Sequence, residues 1–268
     1  VKVTEVIHFN HELDLLEAHI VEASHYADRI VIKEGEANWR GEEKPLHATE
    51  NWDRFRKYSK AEVMVIPADE FFKNPQNKRE MCLNENRTRT YGWQDVSDSV
   101  DYVIECDVDE IIDRRLAGQL FLLMSTGEYL HLAVKYQNFL WFMNNHLKRH
   151  TPYRVFKSGE AEICLNPKNR PRTMTPMIGW HFSGCISGEN WGRKYKDMNH
   201  IYGFSEAEIG GIDWDVLRAK GKKLDRNRDE VGLDGTFAEI VYLDDYPMFV
   251  AHNPELFPWW GNPTFLTR

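Results

Sequence analysis

At 268 residues, with 42% hydrophobic and 13% aromatic side chains, the chain can build a substantial core in one large domain or two small ones, which excludes a disordered protein. Its formal net charge of −8 argues against a general polyanion binder but leaves room for a local basic groove around a phosphate. The four cysteines, Cys82, Cys106, Cys164 and Cys185, lack CxxC spacing, so a zinc site or dense disulfide framework is not expected.

In chain order, Val3 to Phe9 reads as a first strand, and Leu13, Leu16, Ile20 and Ala23 recur at helical spacing through Glu12 to Ser24. Arg29 to Lys33 is a second strand and Glu62 to Ile66 a third. A helix is expected over Asn77 to Trp93, a strand over Tyr102 to Cys106, and a helix over Arg114 to Met124. This alternation predicts an α/β sheet with parallel strands, whose ligands gather at the carboxyl ends of those strands. Asn10, Glu34, Asp69 and the Asp107/Asp109 pair all lie at such ends and are expected to share one crevice. After residue 125 the pattern becomes irregular, with strands expected at His131 to Trp141 and Tyr153 to Lys157. The charged run Lys220 to Glu230 reads as a solvated loop or helix end. We expect a single domain, with residues 1–125 as a nucleotide-type half and 126–268 as an acceptor-type half.

The most informative segment is Asp101 to Ile112, an apolar strand running into Asp107-Val108-Asp109-Glu110. Side chains at i and i+2 of a strand point the same way. Two carboxylates so placed suit a hard cation such as Mn2+ or Mg2+ shared with substrate phosphates. An EF-hand is excluded, because its fifth and sixth loop positions would be Ile111 and Ile112. A haloacid-dehalogenase-type phosphatase carries its nucleophilic aspartate near the chain start, with a Gly-Asp-x-x-x-Asp motif later, and neither is present. A plain alternative is a pair of surface aspartates at the start of the following helix.

Four blocks narrow the choice. They are Asn10-His11-Glu12-Leu13-Asp14-Leu15-Leu16; Ile30-Val31-Ile32-Lys33-Glu34 with Gly41-Glu42-Glu43-Lys44-Pro45-Leu46; Asp107-Val108-Asp109-Glu110-Ile111; and Gly179-Trp180-His181-Phe182-Ser183 with Cys185. In this order they resemble glycosyltransferase family 17, a family of N-acetylglucosaminyltransferases that modify glycans. The resemblance implies a GT-A fold and a metal-dependent, inverting transfer from a nucleotide sugar, expected to be UDP-linked, to a glycan hydroxyl. Mn2+ or Mg2+ is the implied cofactor, with Asp107, Asp109 and His181 as ligands. Asn10, Glu12, Glu34 and Asp107 would face the nucleotide, and Arg79 and Arg87 the diphosphate.

A carboxylate must take the acceptor proton; Glu189 is the first choice, with Asp213 and Asp234 behind it. Trp191, Trp259 and Trp260 are candidates to stack on sugar rings. Two acceptor alternatives stay open, a bacterial polysaccharide and a hydroxymethylated DNA base, as does a lectin-like binder without turnover. No apolar run approaches the ~20 residues of a membrane span, and no signal peptide is visible. The compartment is therefore expected to be the cytoplasm for a bacterial or phage protein and the Golgi lumen for a trimmed eukaryotic one. The sequon Asn86-Arg87-Thr88 matters only in the second case. Oligomeric state is not legible.

Overall fold

Strand β1 (Val3–His8) lies at the centre of the architecture, pairing in parallel with β2 (Arg29–Gly35) on one side and β4 (Tyr102–Asp107) on the other. A computed structural model describes residues 1–75, 77–126, 131–140, 142–147, 153–158, 174–183, 185, 193–194, 197, 213, 222–224, 230–232 and 247–257. Strand β3 (Ala61–Ile66) adds in parallel outside β2. These strands carry continuous apolar runs because both sheet faces are covered. Val6, Val31 and Val103 pack on one side, while Ile7, Ile30 and Ile32 join the cluster under helix α1 (Leu13–Ala23). That helix buries Leu16, Ile20 and Ala23 of the stripe its spacing predicted, leaves Leu13 partly buried, and buries Leu15 and Ala18 as well.

Two short helices, α2 (His47–Glu50) and α3 (Trp52–Phe55), precede β3. The single helix expected before β4 is two, α4 (Lys78–Thr90) and α5 (Trp93–Ser97). They break at Gly92, which sits at φ 62° in the left-handed region. A Cβ there would lie 2.4 Å from the Met64 sulfur, so the kink also brings α5 close to β3.

The second half continues the same sheet. After β5 (Glu110–Ile112) and α6 (Ala117–Ser125) come β6 (His131–Leu140), β7 (Phe142–Leu147), β8 (Tyr153–Lys157) and β9 (Met174–Ser183). Among the described residues the strand order is β3-β2-β1-β4-β8-β6-β9-β5, with β7 paired to β6. Strand β8 is antiparallel to β4 and β6, whereas β6 and β9 run parallel. This is the mixed α/β sheet, with a parallel half flanked by helices, that the sequence led us to expect.

The Gly179–Ser183 block, read from sequence as irregular, is the end of β9. Pro176 and Gly179 are poor strand residues and mask the pattern. Gly179 is required by a close approach, since a Cβ would lie 2.3 Å from the Ile111 carbonyl and 2.8 Å from the Tyr136 ring. Of the charged run Lys220 to Glu230, read from sequence as a loop or helix end, Lys222–Leu224 forms a strand, β10, which pairs antiparallel with β11 (Glu230–Gly232); residues 225–229 lie outside the described residues. Helix α7 (Met248–His252) packs back on α1, and Val250 and Phe257 complete the core there. Cys82, Cys106 and Cys185 are free thiols; Cys164 lies outside the described residues.

Gly179→Ala should therefore force β5 away from β9. We expect a loss of about 1–3 kcal/mol in denaturant unfolding; wild-type stability would show that the contact between β5 and β9 is loose.

Candidate active site

The sheet order reverses at β1. The chain moves outward from β1 through β2 to β3, then returns to place β4 on the other flank of β1. Open α/β sheets bind ligands at such a switch point, outside the carboxyl ends of the strands. Asn10 to Glu12 follow β1 there, and Asp107 to Asp109 follow β4.

Asp107 closes β4 on the same side as Glu105, and helix α4 brings one guanidinium to both. Arg89 lies 3.5 Å from Glu105 and 3.3 Å from Asp107. Glu105 is buried and also meets the His8 ring at 2.9 Å. Beyond Asp107 the strand alternation ends, because the chain turns. The Val108 amide donates to the His8 carbonyl at 3.0 Å, and the Phe182 amide donates to the Asp109 carbonyl at 2.7 Å. The Asp107 amide donates to the Glu110 carboxylate at 3.1 Å. Asp109 is thus presented by a turn bound to β1 and β9, so the i, i+2 alternation of a strand does not set its direction relative to Asp107.

Asp109 is 4% exposed and meets an ammonium that no motif announced. Lys194 Nζ lies 2.8 Å from Asp109 Oδ2 and 2.8 Å from Glu12 Oε1. Burial opposes the charge on Lys194, but Asp109 and Glu12 outweigh it and raise its pKa above the usual lysine range. Burial likewise pushes the Glu12 carboxyl up, but Lys194 and His11 outweigh it and hold it below the usual carboxylate range. His181 stands opposite Glu110 in the β5–β9 register, with Nε2 3.8 Å from Asp109 Oδ1 and 3.9 Å from Glu110 Oε1. Burial lowers its pKa, so the neutral ring is favoured at neutral pH. Burial, reinforced by Asp107 and Asp109, raises the Glu110 carboxyl well above its ordinary value.

The other expected residues divide. Asn10 joins the site rim, donating to Asp197 Oδ2 at 3.0 Å, while Asn38 donates to Asp197 Oδ1 at 3.0 Å. Lys44, from the second motif block, reaches the Asn10 carbonyl at 3.4 Å. Glu34 is fully buried and accepts from the amides of Ala48 and Thr49, so its carboxylate anchors the start of α2. Arg79 is exposed on α4. Arg87 donates to the Glu70 carbonyl at 2.6 Å and stacks 4.6 Å from the centre of the Phe72 ring. Of the three α4 arginines, Arg89 is the one bonded to Asp107. Asp69 lies in a short 3-10 turn, Ala68–Glu70, and Asp213 is exposed. Glu189, Trp191, Asp234, Trp259 and Trp260 lie outside the described residues.

Sequence reasoning missed Arg89, Lys194 and Asp197. A signal existed for the first, because Glu105 in the middle of a central strand requires a cation. Lys194 and Asp197 belong to no motif and are brought in from distant chain.

Two aspartates and a neutral imidazole offer an O, O, N donor set that suits Mn2+ or Mg2+. The Lys194 ammonium already resides between Glu12 and Asp109, which shows that this spot accepts positive charge. The donor types therefore fit a divalent ion, and Asp109 and His181 are close enough to share one, while Asp107 is turned to Arg89 and would have to swing in to join them.

Comparisons with known proteins bear on the family. No curated protein sequence matches the chain. Among solved structures, S. aureus TarS 1-349 gives a TM-score of 0.44 at 7% identity, over 78% of this chain and 68% of that one. The same protein in complex with UDP-GlcNAc gives 0.43 at 8% identity, over 78% and 69%. Glucosyl-3-phosphoglycerate synthase from Mycobacterium tuberculosis, in complex with Mg2+ and UDP, gives 0.31 at 16% identity, over 50% of this chain and 43% of that one. Scores this low bear on neither the donor nor the metal of this chain. The sequence model of glycosyltransferase family 17, however, matches residues 1–201 of 268, through all four motif blocks and every side chain assembled at the site. The chain belongs to glycosyltransferase family 17 and is a glycosyltransferase.

Proposed function

We propose that the protein is a metal-dependent, inverting glycosyltransferase that takes a sugar from a UDP-linked donor and delivers it to a glycan hydroxyl. The observation that carries this reading is the approach of Asp109 and a neutral His181 to 3.8 Å at the switch point, with Asp107 closing the adjoining strand β4 and the cations of Arg89 and Lys194 on the two aspartates. Asp107, Asp109 and His181 would hold Mn2+ or Mg2+, which supplies Lewis acidity to neutralise the departing diphosphate. Glu110, hydrogen-bonded to the Asp107 amide, orients the turn.

Arg89 and Lys194 then have a second use. Their charges answer Asp107 and Asp109 in this structure. An arriving diphosphate offers both cations new partners and frees the aspartates for the metal. Guanidinium and ammonium groups both suit phosphate oxygens. Asn10, Asn38 and Lys44, at the rim, are placed for the nucleoside side of the donor. The acceptor hydroxyl attacks the anomeric carbon from the opposite side while a carboxylate takes its proton. Glu189 is our candidate for that base, with Asp213 behind it. The net charge of −8 favours a glycan acceptor over DNA.

Turnover separates this reading from that of a binding module. Wild-type protein with Mn2+ should hydrolyse a UDP-sugar slowly without acceptor, and Asp109→Ala should cut that rate by about 10²–10³-fold. Equal rates for the two proteins would remove Asp109 from the metal site. The cation exchange has its own test in calorimetry. Lys194→Met should bind Mn2+ alone more tightly than wild type does and bind UDP more weakly. Wild-type affinities for both would refute a role for Lys194.

A further inference from the structure

Beneath the Asp107–Asp109 turn lies a polar cluster that the reaction does not touch. Glu5 in the middle of β1, His19 on the buried face of α1, and Cys106 in β4 are all fully buried. A carboxylate at such a place is costly unless it is hydrogen-bonded. The Oε1 oxygen of Glu5 is answered by His19, whose Nε2 lies 2.6 Å away. The other ring nitrogen, Nδ1, lies 3.1 Å from the carbonyl oxygen of Val108, the residue between the two aspartates.

The donor inventory fixes the proton on the ring. A carbonyl oxygen only accepts, so His19 Nδ1 must carry a hydrogen, and Nε2 faces the carboxylate. Glu5 Oε1 also accepts from the Cys106 thiol at 3.6 Å. The ligand atoms of Glu5, His19 and Cys106 lie within 4.8 Å of one another, a spacing that also invites a metal. The bonding argues otherwise. Both nitrogens of His19 are already engaged, and burial pushes the Cys106 thiol well above its ordinary pKa, away from the thiolate that a metal takes.

What the cluster does hold is a peptide plane. The Val108 amide is bonded to His8 and the Asp109 carbonyl to Phe182, and between them lies the Val108–Asp109 peptide. Rotation of that peptide would swing the Asp109 carboxylate relative to Asp107. His19 Nδ1 bonds the carbonyl of that peptide.

We propose that Glu5 and His19 are a positioning pair for the metal-binding turn: Glu5 fixes the His19 ring, and the ring holds the Val108 carbonyl so that Asp107 and Asp109 keep the separation a cation needs. The proposal rests on reading those aspartates as a metal site. Neither residue touches donor, acceptor or metal; both act through the backbone.

The test uses His19→Leu, which removes both bonds at similar volume, and Glu5→Gln, which keeps the shape and removes the charge that braces the ring. Val103→Ala serves as the stability control, a buried change in β4 on the opposite face with no bond to the turn. Mn2+ binding in the presence of UDP is read by electron paramagnetic resonance, and hydrogen exchange is followed at the amides of residues 107–110. We expect His19→Leu to weaken Mn2+ binding about 10–100-fold, with faster exchange confined to the turn. Glu5→Gln should show a smaller loss of the same kind, and Val103→Ala none despite its lower melting temperature. Wild-type Mn2+ affinity in His19→Leu overturns the proposal. If that variant does not fold, wild-type affinity and wild-type turn exchange in Glu5→Gln overturn it. If the wild type binds no Mn2+ with UDP, the metal reading fails on its own. The exchange data then still judge the pair, and unchanged exchange at the turn in either variant refutes it.

Discussion

Five residues, Asp107 to Ile111, turn the chain from a parallel strand into a short antiparallel one, and the site depends on how that turn is held. The His8 carbonyl takes one amide of the turn, the Phe182 amide takes one of its carbonyls, and His19 takes another. Those three partners sit on β1, β9 and α1, so the turn is stitched to elements from both halves of the chain. A two-residue slip in any of them would separate Asp109 from His181. This explains why glycine stands at residue 179, where β9 and β5 approach too closely for any side chain.

The second constraint is charge. Glu5, Glu12, Glu105, Asp109 and Glu110 are all buried in, or just beyond, strands β1, β4 and β5. Buried carboxylates persist only when answered by cations or by hydrogen bonds. Each has a named answer: His19 for Glu5, Lys194 for Glu12 and Asp109, Arg89 with His8 for Glu105, and the Asp107 amide for Glu110. Such a concentration of acidic groups is expensive for stability. Its retention fits a site that must exchange its internal cations for a metal and a diphosphate.

Much of this was legible in the sequence. The parallel half was readable because its strands are apolar runs and its first helix has a clean 3.6-residue stripe. The metal candidates were readable because carboxylates following a strand have few other uses. Three things were hidden. Strand β9 carries Pro176 and Gly179, which disguise it, and β5 is too short to show a period. Arg89 was passed over for Arg87 because helix phase cannot be fixed on a segment as polar as Lys78–Thr90; the fold decides it by directing Arg87 to Glu70. Lys194 is the opposite case, since only the tertiary fold brings it to Glu12 and Asp109, and no local pattern encodes that meeting.

The central claim is that Asp107, Asp109 and His181 hold a divalent ion beside a nucleoside diphosphate. Anomalous diffraction at the manganese edge, from crystals grown with Mn2+ and UDP, tests it most directly. The account predicts one strong peak between those three side chains, with Lys194 turned from Asp109 toward the diphosphate. A peak among Glu5, His19 and Cys106, or UDP bound with Lys194 still on Asp109 and no manganese, would contradict it.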